Sequence, residues 1–370
     1  MVLNYIDLTN FRLHGKTNIE FSKNINYIVG GNGQGKTSLL EGIYYLCTTK
    51  NLSRTSDSEA VKFDNSFFEI TGSFTEYTKN KVRIYYDSNA SKKNIFLDDK
   101  QIYKTSELIG KFPVVALLQS DHEITKGSPS VRRRFIDSII SQASSTYLKL
   151  ILDYNKILRN RSTLLSNIKE RYEKSLVEQL EAWTTSLIST GTEIIKHRKN
   201  FIEELNDYVK KPYEQIMGKS ESPKIKYQAS IGNVAESVRE TFTQKLNNSK
   251  KDELRIGRNL VGPHRDDFDF TIDNLELKKY GSQGQNKTFQ IALRFTQFFY
   301  LKDKLKITPI FLMDDVFGEL DSARAKKISD YLKEIGQAFI TMTDFSRLEK
   351  LHKTDNDLIL NVKSGNVTYV

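Results

Sequence analysis

Residues 30 to 37 read Gly30-Gly31-Asn32-Gly33-Gln34-Gly35-Lys36-Thr37, and no other stretch limits the possible folds as tightly. A glycine, four residues, then glycine, lysine and threonine form the pattern of a phosphate cradle. Glycines admit backbone conformations closed to other residues, so successive N–H groups can turn inward around an anion. A helix that starts at the end of the cradle adds partial positive charge. The flanks fit: Ile25 to Val29 reads as a buried strand and Thr37 to Cys47 as a helix. This order predicts an α/β fold with nucleotide phosphates held by Gly30, Gly31, Asn32, Gly33, Gln34, Gly35, Lys36, Thr37 and Ser38. Lys36 is expected to bridge the outer phosphates, and Thr37 to set its hydroxyl on Mg²⁺. The competing reading is an ordinary glycine turn between strand and helix.

Such a cradle needs a metal-directed carboxylate at the end of a neighbouring strand. Ile310-Phe311-Leu312-Met313-Asp314-Asp315 offers one. Four apolar residues suit a strand buried on both faces, and open α/β sheets hold ligands at the carboxyl ends of their strands. Asp314 is therefore expected to serve Mg²⁺, directly or through water, and Asp315 to orient an attacking water. Without the cradle, the same residues would read as a strand running into a turn.

Around this pair the chain changes character twice. Leu3 to Leu8, Phe67 to Phe74, Lys81 to Asp87 and Lys93 to Leu97 read as strands. From Ser128-Pro129-Ser130 the pattern turns helical, and Leu176, Leu180, Trp183 and Leu187 mark one buried helix face that continues less cleanly to about Ile216. Polar interruptions at Thr190 and His197 argue against a long coiled-coil arm. Strands return at Ile225 to Ala229, Phe268 to Ile272, Pro309 to Met313 and Ala338 to Met342. The expected organisation is an ATPase part over 1–123, a helical lobe over 124–250, and a second ATPase part over 251–370. No apolar run nears the roughly 20 residues that span a bilayer, so no membrane association is expected. The lone Cys47 fits a cytosolic protein. A net charge of +10 makes an acidic partner such as nucleic acid plausible, although a basic soluble surface would give the same figure.

Further stretches carry a resemblance. Gly318-Glu319-Leu320-Asp321 resembles the D-loop of ABC-type ATPases, and Gly281-Ser282-Gln283-Gly284-Gln285, ahead of a helix from about Asn286 to Tyr300, resembles their signature motif. The latter matches at Ser282, Gly284 and Gln285. Leu8-Thr9-Asn10-Phe11-Arg12, the run from Lys126 to Asp137, and Val261-Gly262-Pro263-His264-Arg265-Asp266-Asp267 resemble the RecF family within the ABC/SMC-type ATPases. The resemblance implies an ABC-type P-loop ATPase head with mixed β-sheets, interrupted by a helical lobe. It also implies a cytoplasmic protein that binds ATP and Mg²⁺ and forms an ATP-dependent homodimer. Ser282, Gly284, Gln285 and Asp321 would then close over ATP held by the second copy. Family members act on gapped DNA, at single-stranded/double-stranded junctions, with RecR and RecO in recombinational repair and recombinase loading.

Gln119 stands where the resemblance puts the glutamine that reaches the metal and the catalytic water. Two departures bear on rate. ABC ATPases usually place glutamate after the metal aspartate and histidine after the next strand, whereas this chain has Asp315 and, over Thr341-Met342-Thr343-Asp344, no histidine. Slow, DNA-stimulated hydrolysis acting as a switch is expected. Arg54, Arg132, Arg133 and Arg134 are candidate DNA contacts, although consecutive helical residues point apart and at most two of the last three can share a surface. His264 and Arg265 beside two aspartates suit an ion-pair network as well as catalysis. Two other functions remain compatible with the motifs: the ATPase subunit of a transporter, and a scaffold that binds ATP without hydrolysing it.

Overall fold

The computed structural model describes residues 1–53, 55–218, 221–232, 237–319, 322–332, 334–344 and 354–370, without the side chains of residues 319 and 322. Arg54 and Asp321 therefore lie outside the described residues. The strands are β1 (Val2–Phe11), β2 (His14–Glu20), β3 (Ile25–Val29), β4 (Phe67–Thr75), β5 (Lys79–Asp87), β6 (Lys92–Leu97), β7 (Lys100–Ile102) and β8 (Val114–Leu117). They continue with β9 (Pro223–Gln228), β10 (Asp267–Ile272), β11 (Leu275–Glu276), β12 (Ile310–Asp314), β13 (Ala338–Met342), β14 (Leu358–Lys363) and β15 (Asn366–Tyr369). The helices are α1 (Lys36–Thr48), α2 (His122–Lys126), α3 (Pro129–Ala143), α4 (Ser145–Glu170), α5 (Lys174–Met217), α6 (Val238–Ile256), α7 (Leu277–Tyr280), α8 (Gln283–Leu305) and α9 (Ser322–Leu332).

Two compact units result. The first comprises Met1–Asp121, Gln215–Lys219 and Ile291–Val370. It holds an antiparallel sheet in the order β2-β1-β4-β5-β6-β7 and a mixed sheet in the order β15-β14-β3-β13-β12-β8. In the mixed sheet β14, β3, β13, β12 and β8 run parallel, and β15 alone is antiparallel. Parallel strands covered on both faces need apolar residues throughout. Accordingly β3, β13 and β8 are buried along their whole length, and β12 is buried up to Asp314.

Helix α1 lies between the sheets: Leu39, Leu40, Ile43 and Leu46 join one core with Leu3, Ile6, Leu8 and Ile70 from the antiparallel sheet and Ile28, Leu312 and Phe339 from the mixed one. Each such side chain contributes about 1.5–3 kcal/mol by leaving water. The P-loop is thus mounted on the best-buried helix of the unit. Arg12 ties the middle of α1 to the segment that follows it: its guanidinium grips both carboxylate oxygens of Glu41 and donates to Ser53, Thr55 and the Glu59 carbonyl.

The second unit comprises His122–Glu214 and Ser220–Gln290. Residues 251–290, grouped from sequence with the ATPase part, belong here. Strand β10 pairs with β9 and β11 in a three-stranded sheet, and the aspartates at its start are claimed by arginines of α3 and α5. Helices α4 and α5 pack around Leu164, Leu165, Ile168 and Leu180, with Leu176 and Trp183 only partly covered. Arg161 of α4, itself buried, donates to Glu253 of α6, to Asn259 and to Thr184.

Asp266 and Asp267 join an ion-pair network with Arg198 and Arg132, whereas among the described residues His264 takes no part in it. Its Nδ1 lies 2.8 Å from the Tyr154 hydroxyl, and burial, followed by the nearby charges of Arg265, Arg133 and Arg161, pushes its pKa from 6.5 to about 4, against a hydrogen bond at Asn259 that raises it. An unfolded chain therefore takes up a proton between those values that the folded chain refuses, so stability rises with pH across that window. Acidification from neutral pH to 4 is expected to cost on the order of 3 kcal/mol from this residue. Trp183, the sole tryptophan, reports on this unit. Urea titrations followed by its fluorescence check the effect: between pH 6.5 and 4 a His264→Gln variant must lose less stability than the parent, and equal losses would refute the assignment.

Candidate functional site

The P-loop folds as its glycines require. Gly35 sits at φ 107° and Gly33 at φ 72°, in the left-handed region that residues with a Cβ avoid. A Cβ on Gly30 would fall 2.3 Å from the Val362 carbonyl oxygen. Gly35 forms the N-cap of α1 with no side-chain cap, and the first turn of α1 has no acidic residue. The first N–H groups of a helix need acceptors, so this end is open to an anion. Lys36 is buried and its ammonium donates 2.7 Å bonds to the carbonyls of both Gly30 and Gly31. Burial lowers its pKa, opposed by the charges of Asp315 and Asp314. Gly31, Asn32, Gly33 and Thr37 are exposed, and Gln34 and Ser38 are half-buried.

Residues outside the motif brace it from beneath. The Gln34 carbonyl accepts from Gly365 N at 2.9 Å and its side-chain oxygen from Ser364 N at 2.7 Å, in the turn between β14 and β15. His14, wholly buried, meets the Gly35 carbonyl through Nε2 at 3.1 Å. A carbonyl only accepts, so Nε2 carries the proton. The sequence reading missed this contact; a lone histidine in a short polar strand carries no signal for it.

At the carboxyl end of β12 the two aspartates take different roles. Asp314 accepts from Thr37 of the P-loop, at 2.9 and 3.1 Å to its two oxygens, and from Thr341 of β13 at 2.8 Å. Asp315 turns out of the strand at φ 47°, and its N–H donates to the Thr341 hydroxyl at 2.8 Å. Gln119, just beyond β8, donates from Nε2 to the Asp315 carboxylate and carbonyl at 3.4 Å. The helical turn bearing Gln119 is itself anchored, because Asp121 accepts from both Nε and a terminal nitrogen of Arg294 at 2.7 and 2.6 Å. The structure thus brings Thr37, Asp314, Asp315 and Gln119 together. Thr341, Asp121 and Arg294 carry no signal in the sequence, although Thr341 lies in the stretch where ABC ATPases usually place a histidine.

A hydroxyl and a carboxylate held at hydrogen-bonding distance are hard oxygen donors of the kind Mg²⁺ takes. Among the described residues no cluster of three or more His, Cys, Asp or Glu is poised to hold a metal alone.

The signature-like residues lie in the second unit. Helix α8 begins at Gln283, earlier than expected, because Ser282 and Gln285 form a reciprocal cap: Ser282 Oγ accepts from Gln285 N at 3.1 Å, and Gln285 Oε1 accepts from Ser282 N at 3.0 Å. The serine oxygen is thereby occupied as an acceptor, which leaves its proton to donate. Gly284 falls within the first turn.

The arginine cluster divides. Arg132 is buried and grips both oxygens of Asp267, at 2.7 and 2.8 Å, and the Gly127 carbonyl; it is a structural residue, unavailable to DNA. Arg133 is half-buried and donates to the Asp266 carbonyl at 2.6 Å. Arg134 alone of the three is exposed.

Comparison with known proteins agrees with this architecture. The RecF/RecN/SMC N-terminal domain matches residues 2–363. A DNA replication and repair protein RecF of Chloroherpeton thalassium is 40% identical, over 93% of this chain and 95% of its own length. The RecF of Salinibacter ruber is 34% identical over 93% and 85% respectively. A solved structure of the recombination mediator protein RecF with ATP, in the RecFOR pathway, superposes with a TM-score of 0.91 at 32% identity, covering 100% of this chain and 97% of that one. An Smc head domain from Pyrococcus furiosus, 16% identical with a TM-score of 0.55, covering 100% of this chain and 95% of that one, shares the fold. The fold is that of an ABC-type ATPase head, and the chain belongs to the RecF family.

Proposed function

We propose that this chain is an ATP-switched DNA-binding protein of recombinational repair, acting at gapped DNA with RecR and RecO. One observation carries the reading: the start of α1 has no side-chain cap and lies beside the Thr37–Asp314 pair, in a chain of the RecF family. ATP phosphates lie in the cradle from Gly30 to Ser38, and Lys36 exchanges its backbone carbonyls for phosphate oxygens. Thr37 and Asp314 hold Mg²⁺, which when bound neutralises charge on the outer phosphates. Asp315 and Gln119 orient the attacking water. Aspartate is one methylene shorter than the usual glutamate, which makes hydrolysis slow, a timer for release. The Ser282 hydroxyl donates to the γ-phosphate held by a second copy, so ATP joins two chains and its loss parts them. Gly284 and Gln285, in the same first turn of α8, act with Ser282.

The net charge of +10 supports phosphate contacts of low sequence specificity, with Arg134 and Arg54 as the arginines assigned to them. Filter binding on gapped and fully paired DNA, with and without ATP, tests the proposal. ATP is expected to tighten binding to gapped DNA by about tenfold or more, and raised salt to weaken it steeply. Equal and negligible binding under all four conditions would rule the function out.

A further inference from the structure

Thr341 makes two hydrogen bonds that tie the two aspartates together, and its side chain is wholly buried. We infer that Thr341 is a positioning residue, whose hydroxyl aims the Asp314 carboxylate at the metal and pins Asp315 in its left-handed turn. The inference rests on the proposed reading of the cleft as an ATP–Mg²⁺ site.

The parallel register of β12 and β13 sets Thr341 directly beside Asp314. A hydroxyl has one proton to give and lone pairs to receive. Here the proton goes to Asp314 Oδ1 at 2.8 Å and a lone pair takes the Asp315 N–H at 2.8 Å. Asp314 therefore has a second donor beside Thr37. Thr37 is exposed and is the hydroxyl assigned to Mg²⁺, whereas Thr341 is buried and holds the carboxylate from the protein side. The second bond acts on the backbone. A residue with a Cβ resists φ near +50° and keeps it only where its surroundings impose it. Asp315 stands at φ 47°, with its amide fixed by Thr341 and its carboxylate 3.4 Å from Gln119 Nε2. Loss of the hydroxyl removes one tie from the Asp314 carboxylate and one from the Asp315 backbone at once.

A β-branched residue is at home in a parallel strand, and valine would serve the sheet as well as threonine. Thr341→Val therefore separates the two roles, since it keeps shape and removes the hydroxyl. Thr341→Ser restores the hydroxyl, and Thr341→Ala provides a second hydroxyl-free variant should valine compromise folding. Titration calorimetry with ATP, with and without Mg²⁺, is the primary readout, and hydrolysis across a Mg²⁺ series the second. The valine variant is expected to bind Mg²⁺-free ATP within about twofold of the parent while its Mg²⁺-dependent gain in affinity shrinks about tenfold. Its kcat falls by about tenfold or more with KM for ATP little changed, and serine returns every value to within about threefold of the parent.

Parental Mg²⁺ dependence in the hydroxyl-free variants overturns the inference about Thr341 alone. A parent that binds no ATP overturns the reading of the site itself.

Discussion

Lys36→Ala is expected to weaken ATP binding by about 100-fold or more and to leave the fold standing. In the nucleotide-free chain the ammonium answers the carbonyls of Gly30 and Gly31, which border an exposed loop where water can replace it. The folded state therefore loses little. With ATP present the same ammonium meets phosphate oxygens, and each hydrogen bond to a charged group is worth about 1.5–3 kcal/mol. Two such bonds amount to a loss of about 100-fold or more in affinity. A ligand at 100 times its dissociation constant stabilises the native state by about 2.7 kcal/mol, an increment visible as a rise in melting temperature. The parent is expected to show that rise with ATP, and the variant to melt at the parental ligand-free temperature with or without it. An undiminished ATP response in Lys36→Ala would move the nucleotide to another site.

The sequence announced this part of the molecule because the chemistry is local. Cradle, strand and helix occupy one continuous stretch, and the glycines report backbone shapes that no other residue tolerates. Asp314 was equally legible, since a fully apolar strand ending in aspartate leaves little choice about where the carboxylate emerges. What failed to show were partners from distant segments that carry no pattern of their own, such as His14, Ser364 and Thr341. Strands β2 and β15 lie at sheet edges, where half-polar sequences such as His14-Gly15-Lys16-Thr17 satisfy the backbone without an apolar pattern. Strand β8 is four residues long, too short for periodicity to declare it, yet it sets Gln119 beside Asp315. ABC ATPases usually carry a histidine in the stretch around Thr341, and this chain has none from Thr341 to Asp344. The structure answers with the hydroxyl already present, bonded to both aspartates.

The charges of the two family-like stretches of the second unit, from Lys126 to Asp137 and from Val261 to Asp267, suit nucleic-acid contact, catalysis or an ion-pair network equally well in the sequence. In the structure they turn toward each other. Arg132 takes Asp267, and Asp137 and Asp266 converge on Arg198 of α5, a residue with no motif around it. Charge in a sequence reports neither exposure nor partner, so the paired and buried arginines were indistinguishable from Arg134, which does face solvent.

Arg198 is accordingly the residue whose loss should cost the second unit most. It is 2% exposed, and its guanidinium donates to Asp137 through Nε and a terminal nitrogen at 3.0 and 2.9 Å, to Asp266 at 2.9 Å and to the Pro263 carbonyl at 2.7 Å. Asp266 is fully buried and also receives the Tyr227 hydroxyl and the Ser230 N–H. Burial, reinforced by these carboxylates, keeps the Tyr147 and Tyr227 phenols protonated well above their usual range, so they serve as neutral donors. Arg198→Met fills similar volume but removes the guanidinium that bonds both Asp137 and Asp266. Breaking a buried pair from one side costs about 3–5 kcal/mol, because the surviving charge stays out of water. Arg198→Lys should recover only part of that, since one ammonium cannot reproduce the planar fork that reaches Asp137 twice and Asp266 once. Urea unfolding followed by Trp183 fluorescence measures both, and the order parent, lysine, methionine is the expected ranking. A methionine variant as stable as the parent would mean that the aspartates find water or each other's protons, and that the network orders α3, α5 and the loop before β10 without stabilising them.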